Sequence, residues 1–464
     1  MDKSSVEHSS FRDPSGFLFK FKGTLYRQIN RRYKIDYDFL INSGLYGELV
    51  AQGLIIPHQE VEIIPFPQPE LAYKIIKPEK VDFISYPYEW SLPQMRGAAL
   101  TTLRIARIAL SFGMVLKDAG AYNIQFHKGR WRLIDTLSFE RYHEGEVWVA
   151  YRQFCQHFLA PLALMAYLDG RLGLISRFFI DGIPLDIASK LLPLKTKLRY
   201  GLLIHIHLHA RSQRRYSNKA PDIKRNKRKF DLQAMLGLLE SLRQIIKSLY
   251  GKLNTTDWVN YYSNINYSDE SFEQKKAIVD TFIDQAQPNS VWDLGSNTGE
   301  FSQLASSKGI YTVGFDSDPS AVAKNYIQIR KKGDIHQLPL LMDLTNPSPA
   351  LGWGHNERKS LMERGPVDLV LALALIHHLV ISNNVPIQKL ASFLKNICTY
   401  LIIEFIPKSD SMAKRLLQTR KDIFFDYNIE GFESAFGSYF KILRKQAVLG
   451  SERIIYLMRS SEID

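Results

Sequence analysis

Short, nearly continuous apolar runs recur through the second half of the chain, at Val291–Leu294, Ile310–Phe315, Leu338–Met342, Val367–Leu375 and Tyr400–Phe405. Runs of this length and apolarity suit strands buried on both faces of a parallel sheet. Between the first two, Glu300 to Ser307 has the pattern of a helix, and beyond the fifth, Phe440–Leu443 and Arg453–Met458 can pair antiparallel at the sheet edge. The pattern predicts an α/β domain with a doubly wound sheet. The first half reads differently. Leu18–Phe21 and Thr24–Ile29 flank Lys22-Gly23 as a hairpin, Tyr37 to Gly53 is helical, and more short strands follow. Phe83–Tyr86 leads through Pro87-Tyr88-Glu89-Trp90 into a long helix from Leu92 to Phe112. This predicts an α+β region, divided into a strand-rich lobe (1–90), a mainly helical lobe (91–210), a basic linker with a helix (211–255) and the α/β domain (256–464).

Length and composition agree with two or three folded domains. The chain has 464 residues, 45% hydrophobic and 23% charged, which is ordinary for soluble protein. Cys155 and Cys398 are the only cysteines and lie far apart, so neither a disulfide framework nor a zinc-binding spacing is present. The polar start and the lack of a membrane-length apolar run predict a cytoplasmic protein with no transmembrane segment. Of the net charge of +13, a surplus of eight falls between Arg211 and Lys229, where nine Lys or Arg face one Asp. Apart from Tyr216 that segment has no aromatics for base stacking, so it reads as a solvated linker and a nucleic-acid partner is not expected. His205 and His209 in His205-Ile206-His207-Leu208-His209 share a helical face at a spacing that can hold a metal, but no glutamate follows in the zincin pattern. A packed helix fits better, and no metal is expected.

The chemistry-bearing stretch is Val291-Trp292-Asp293-Leu294-Gly295-Ser296-Asn297-Thr298-Gly299, a strand running into an Asp-x-Gly-x-x-x-Gly turn. Glycines there let backbone approach a ligand, and Asn297 stands where a further glycine would serve, Asn being the non-glycine residue most at ease at positive φ. The second strand ends on Asp316, 23 residues after Asp293, a position from which a carboxylate takes ribose hydroxyls. These residues resemble the class I S-adenosylmethionine (SAM)-dependent methyltransferases, a Rossmann-like family, from about Ser263 to the C-terminus. The resemblance implies SAM as cofactor, held by Asp293, Gly295, Asn297, Gly299, Asp316 and Asp343, the last toward the adenine amine.

The same resemblance places Ile376-His377-His378-Leu379 at the ligand edge, similar to the turn of small-molecule methyltransferases. His377 or His378 can accept a proton from a hydroxyl or amine acceptor, or one can pack beneath the cofactor while the other caps the next helix. Glu404 can orient the acceptor or bind a buried Arg or Lys. Trp258–Ser263 and Tyr267–Asp269 would form an aromatic lid in this family.

In the first half, Asp118-Ala119-Gly120-Ala121-Tyr122-Asn123 followed by a strand ending on Asp135 has the spacing of a kinase catalytic loop, and resembles the protein-kinase and aminoglycoside-phosphotransferase superfamily. That resemblance implies Asp118 as proton acceptor and Asn123 with Asp135 as holders of magnesium on ATP. Asp118 follows Leu-Lys and Asp135 precedes Thr-Leu, no glycine-rich phosphate loop is present, and Lys74 and Arg27 are the candidate phosphate cations. The site therefore reads as vestigial, in a kinase-like module that positions substrate. Ile84–Trp90, Leu133–Glu140 and the glycine turn are also similar to bacterial proteins of the rhizobial NoeA nodulation-methyltransferase type. The expectation is a methyltransferase acting on a small molecule or a glycan or lipid precursor. The alternatives are an ATP- and magnesium-dependent phosphotransferase with a regulatory SAM domain, and an RNA-binding methyltransferase using the basic segment.

Overall fold

The computed structural model describes residues 5–62, 66–216, 230–251, 269–418 and 420–461. Two compact units divide the chain: Met1–Lys252 with Gly352–Arg358, and Leu253–Leu351 with Lys359–Asp464. Gly352–Arg358, included in the C-terminal domain on sequence, groups with the first unit.

The first unit opens with an antiparallel sheet of β1 (Ser5–Val6), β2 (Gly16–Phe21), β3 (Thr24–Asn30), β4 (His58–Val61) and β5 (Ala72–Pro78), in the order β1-β2-β3-β5-β4. The expected hairpin is present with Phe21 opposite Thr24, and Lys22 and Gly23 take the positive φ its turn needs. Phe17, Phe19 and Ile75 pack together, while Ile29 and Ile76 join Tyr33, Tyr37 and Leu137 in a second cluster. The single helix expected over 37–53 is two, Lys34–Asn42 and Leu45–Ala51, because Gly44 at φ +84 breaks the ladder between them. Helix Leu92–Ser111 starts where Ser91 N–H meets Gln94 Oε1 at 2.9 Å, and it buries Met95, Ala98, Ala99, Thr102, Leu103, Ala106, Ala109 and Leu110 along one stripe. Short strands β6 (Met114–Leu116), β7 (Ile124–His127), β8 (Arg130–Leu133) and β9 (Phe139–Arg141) follow, paired β6 with β9 and β7 with β8, before a mainly helical remainder. There His205 bonds Tyr151 Oη at 2.7 Å and Ser241 Oγ at 2.9 Å, and the His209 ring stacks on Tyr151. Both rings are thereby used in packing.

The second unit is built on β10 (Ser290–Leu294), β11 (Tyr311–Asp316), β12 (Gln337–Leu341), β13 (Val367–Ala372), β14 (Cys398–Phe405), β15 (Phe440–Ala447) and β16 (Ile454–Ser460). They form one seven-stranded sheet in the order β12-β11-β10-β13-β14-β16-β15. The first five strands of that order run parallel, and β16 inserts antiparallel between β14 and β15. This is a doubly wound sheet, with the strand order reversing between β10 and β13. Val291, Leu369, Leu371 and Ile402 pack with Ile278, Val279, Phe282, Ile283, Phe301 and Ala305 into a core sealed from water. Ligands bind such sheets at the carboxyl ends of strands flanking the reversal. No helix among the described residues is long and apolar enough to cross a membrane.

Candidate functional site

At the carboxyl end of β10 the chain turns at Gly295, Asn297 and Gly299, with φ of +78°, +48° and +87°. Asn297 thus takes the left-handed conformation that its side chain tolerates better than most. The turn is pinned to β11 by Gly295 and Ser296 N–H groups donating to the Phe315 carbonyl at 2.8 and 2.9 Å. Gly314 permits this approach, since a Cβ there would lie 2.8 Å from Ser296 Oγ. Gly299 caps helix Glu300–Ser307 and has no room for a side chain, because a Cβ would lie 2.4 Å from Asn325 Nδ2.

Asp293 is buried and accepts a hydrogen bond from Ser302 Oγ at 2.6 Å. Burial pushes its carboxyl up to about 7, against the Ser302 hydrogen bond and with the Asp316 charge adding to the rise. Asp316 accepts the Asn297 N–H at Oδ2 and the Asp318 N–H at Oδ1, each at 2.8 Å. Its carboxyl is lifted by burial to about 6. Each of its oxygens has a second lone pair, so the backbone bonds fix the carboxylate while leaving it able to accept two hydroxyls. Ser296 Oγ is buried beneath this turn against Gly314, without a hydrogen-bond partner. Asp343, past the end of β12, is exposed and caps its own turn through Thr345 N and Oγ1 at 2.8 and 2.7 Å.

The exit of β13 meets this turn: a Cβ on Gly295 would lie 3.4 Å from Leu375 Cδ1. Ala374 adopts φ +49° and donates its N–H to Glu404 Oε2 at 2.7 Å. The His377 and His378 rings then sit 4.0 Å apart between centroids. His377 is fully buried, and neither of its ring nitrogens has a hydrogen-bond partner. Burial holds its basicity well below the ordinary imidazole range, helped by nearby His378, Arg453 and Lys275, and burial lowers His378 to about 4. Of the two fates open to Glu404, the structure has the buried ion pair: Lys275 Nζ lies 2.6 Å from Oε2 and Arg453 Nη1 3.7 Å from Oε1. Glu404 therefore supports the Ala374 turn instead of facing an acceptor. Of the expected aromatic lid, Trp258–Ser263 and Tyr267–Ser268 lie outside the described residues, as does most of the basic segment, while Asp269 opens the helix Asp269–Ala286.

Ser302, Ser296, Asn325, Lys275 and Arg453 carry much of this geometry and were not singled out from the sequence. Lys275 and Arg453 reach Glu404 from 129 and 49 positions away, a separation over which local pattern gives no signal.

In the first unit, Asp118 and Asn123 line one cavity of about 460 Å³. Asp135 does not line it. Its Oδ1 pairs with Arg27 Nη1 at 2.6 Å and accepts the Leu137 N–H at 3.0 Å, and its Oδ2 accepts from Ser138 Oγ at 2.7 Å. Asn123 Nδ2 reaches the same Ser138 Oγ at 3.5 Å, so the expected magnesium pair stays close in space but Asp135 is engaged by an arginine; among the described residues no group of three His, Cys, Asp or Glu gathers to hold a metal. Lys74, the other candidate phosphate cation, pairs with Glu60.

The comparison that decides the family is with the nodulation protein NoeA of Rhizobium meliloti (strain 1021), 35% identical over 464 positions covering 98% of this chain and 96% of that protein. The chain belongs to the NoeA family. No protein-family model matches it. Among solved structures, the bifunctional kinase-methyltransferase WbdD is 16% identical with a TM-score of 0.29, over 43% of this chain and 42% of WbdD. The chain therefore matches less than half of that protein. Magnesium protoporphyrin IX methyltransferase ChlM from Synechocystis PCC 6803, solved with bound SAH, is 17% identical with a TM-score of 0.33, over 47% of this chain and all of ChlM. Scores this low mark partial likeness only.

Proposed function

We propose that this NoeA-family chain is a SAM-dependent methyltransferase whose second unit binds the cofactor and whose acceptor is a small molecule or a glycan or lipid precursor. The observation that carries the reading is the turn at the sheet's reversal point, where two glycines and Asn297 at positive φ present backbone beside a carboxylate held by two amides. Asp316 would take the ribose hydroxyls, Gly295 to Gly299 the amino-acid moiety, and Asp343 the adenine edge.

When bound, SAM supplies an electrophilic methyl group on a sulfonium whose departing thioether needs no proton, so the protein's task is alignment. His377 is the residue suited to the remaining step. Its free-base form prevails near neutral pH, and a buried nitrogen without a partner can take a proton from an acceptor hydroxyl or amine. His378 orients it by ring contact, and Glu404 holds the Ala374 turn that carries both. The first unit would position the acceptor. The phosphotransferase alternative has no support from Asp135, whose carboxylate is committed to Arg27.

Calorimetric titration of the full chain with SAM tests the reading. The parent should bind, Asp316→Ala should bind at least about tenfold more weakly through loss of the hydroxyl acceptor, roughly 1.4 kcal/mol or more, and a parent that does not bind SAM overturns it.

A further inference from the structure

The cavity around Asp118 belongs to no step of methyl transfer, yet it is charged and built. Lys117, Arg152 and Arg358 line it, and none of the three has a carboxylate within ion-pair distance among the described residues. Arg358 is the best held. Its guanidinium carbon sits 4.0 Å from the Tyr122 ring centroid, and its Nε is buried without a hydrogen-bond partner. The residue before it is locked in place, since Glu357 is buried, takes a bidentate pair from Arg12 at 2.7 Å on both oxygens, and accepts the Trp353 N–H at 2.7 Å. A stacked guanidinium with an unsatisfied N–H, mounted on a fixed segment, is a preorganised receptor for an oxyanion.

The rest of the lining suits hydroxyls. Gln156 and Asp181 make no side-chain hydrogen bond among the described residues, and Asp118 keeps Oδ2 free of the Gly120 and Gln153 bonds that fix its Oδ1 at 2.9 and 2.8 Å. His157 is held neutral by burial, so it adds no charge. A lining that holds Lys117, Arg152 and Arg358 together with Asp118, Asp181 and Gln156 matches a ligand that joins a phosphoryl group to several hydroxyls. Asp135, the carboxylate that the kinase-like spacing would pair with Asn123, is turned to Arg27 and does not line the cavity. The volume is within the range of small-molecule sites.

We propose that this cavity is a binding site for a phosphorylated polyol, of the sugar-phosphate class, engaged directly by Arg152, Arg358 and Lys117 without a divalent cation. Binding is measured by calorimetry on the full chain with glucose 1-phosphate, N-acetylglucosamine 1-phosphate, ribose 5-phosphate, glucose and inorganic phosphate, each in EDTA and again in magnesium chloride. At least one sugar phosphate should saturate the site in EDTA, more tightly than glucose or inorganic phosphate, with no gain from magnesium. Arg152→Ala and Arg358→Ala should each weaken it about tenfold, and Arg358→Lys less than Arg358→Ala, since a point charge replaces part of the fork. Arg152 is exposed, so its variant should keep the parent's melting temperature and separate lost binding from lost folding. Absence of binding by all three sugar phosphates, a requirement for magnesium, inorganic phosphate binding as tightly, or affinity unmoved by both alanine variants each overturns the proposal.

Discussion

Replacing Lys275 with Met should be among the most damaging single changes in the second unit. Lys275 and Glu404 have side chains 4% and 0% exposed and lie 2.6 Å apart, so deleting the ammonium strands a carboxylate in the core. Breaking a buried pair from one side costs about 3–5 kcal/mol. Here Glu404 retains the Ala374 N–H at 2.7 Å and the more distant Arg453, which trims the expected loss to the lower end, about 3 kcal/mol. For a unit of roughly 200 residues, 1 kcal/mol moves the melting temperature by about 2–4 °C, so the fall should be about 6–12 °C. Scanning calorimetry reads it, with the first unit's transition as internal control. The companion Lys275→Met/Glu404→Leu removes both charges and leaves Arg453 on Asp410, where it bonds at 2.8 Å, so most of the loss should return. A single variant melting within about 2 °C of the parent, by the same conversion, or a double variant melting below the single, would refute the reasoning.

Other expectations follow from the turn and from the first unit. Because burial raises Asp293 to about 7, the folded protein holds a proton there that the unfolded chain releases near 4. Its stabilising effect is therefore complete below about pH 4 and lost as pH rises through about 7. The second unit's melting temperature should drop between about pH 4 and 7, and Asp293→Asn should reduce that slope to the part Asp316 contributes; parallel slopes would count against it. Gly299→Ala places a Cβ against Asn325 at φ +87° and should cost at least about 1–2 kcal/mol, read by urea unfolding. Asp135→Ala leaves the largely buried Arg27 with only the more distant Asp13, 3.8 Å away, and should destabilise the first unit by about 2 kcal/mol while leaving SAM affinity unchanged. Equal stability of variant and parent would show that the Arg27 pair is not structural.

The parallel strands were legible because burial on both faces leaves apolar runs that no surface helix needs. The expected helix at Glu300 to Ser307 and the hairpin at Lys22-Gly23 appear at those residues. Asn297 was legible for a local reason too, since positive φ is a property of one residue and its neighbours. The break at Gly44 was not, because one glycine inside a helical pattern only weakens it, and packing on both sides decides whether it splits.

Charge partners were the hardest to read, for a physical reason. Whether Glu404 faces an acceptor or a lysine depends on which residue, 129 positions away, the fold delivers to the end of β14. The same holds for Asp135. Its spacing from Asp118 and Asn123 is that of a metal-holding loop, but spacing along the chain cannot register that Arg27 on β3 arrives at 2.6 Å. In both places a carboxylate that sequence could assign to chemistry is taken up by a cation from far along the chain, Lys275 in one and Arg27, itself a candidate phosphate cation on sequence, in the other. His377 is the opposite case, a buried ring to which the fold brings no hydrogen-bond partner. An unpaired polar group costs about 1–3 kcal/mol to bury, so a ring kept that way with no use would be a standing loss of stability. His377→Leu should therefore leave the second unit at least as stable as the parent, and lose methyl transfer. If the variant keeps transfer, or unfolds, the ring is packing and the proton acceptor lies elsewhere.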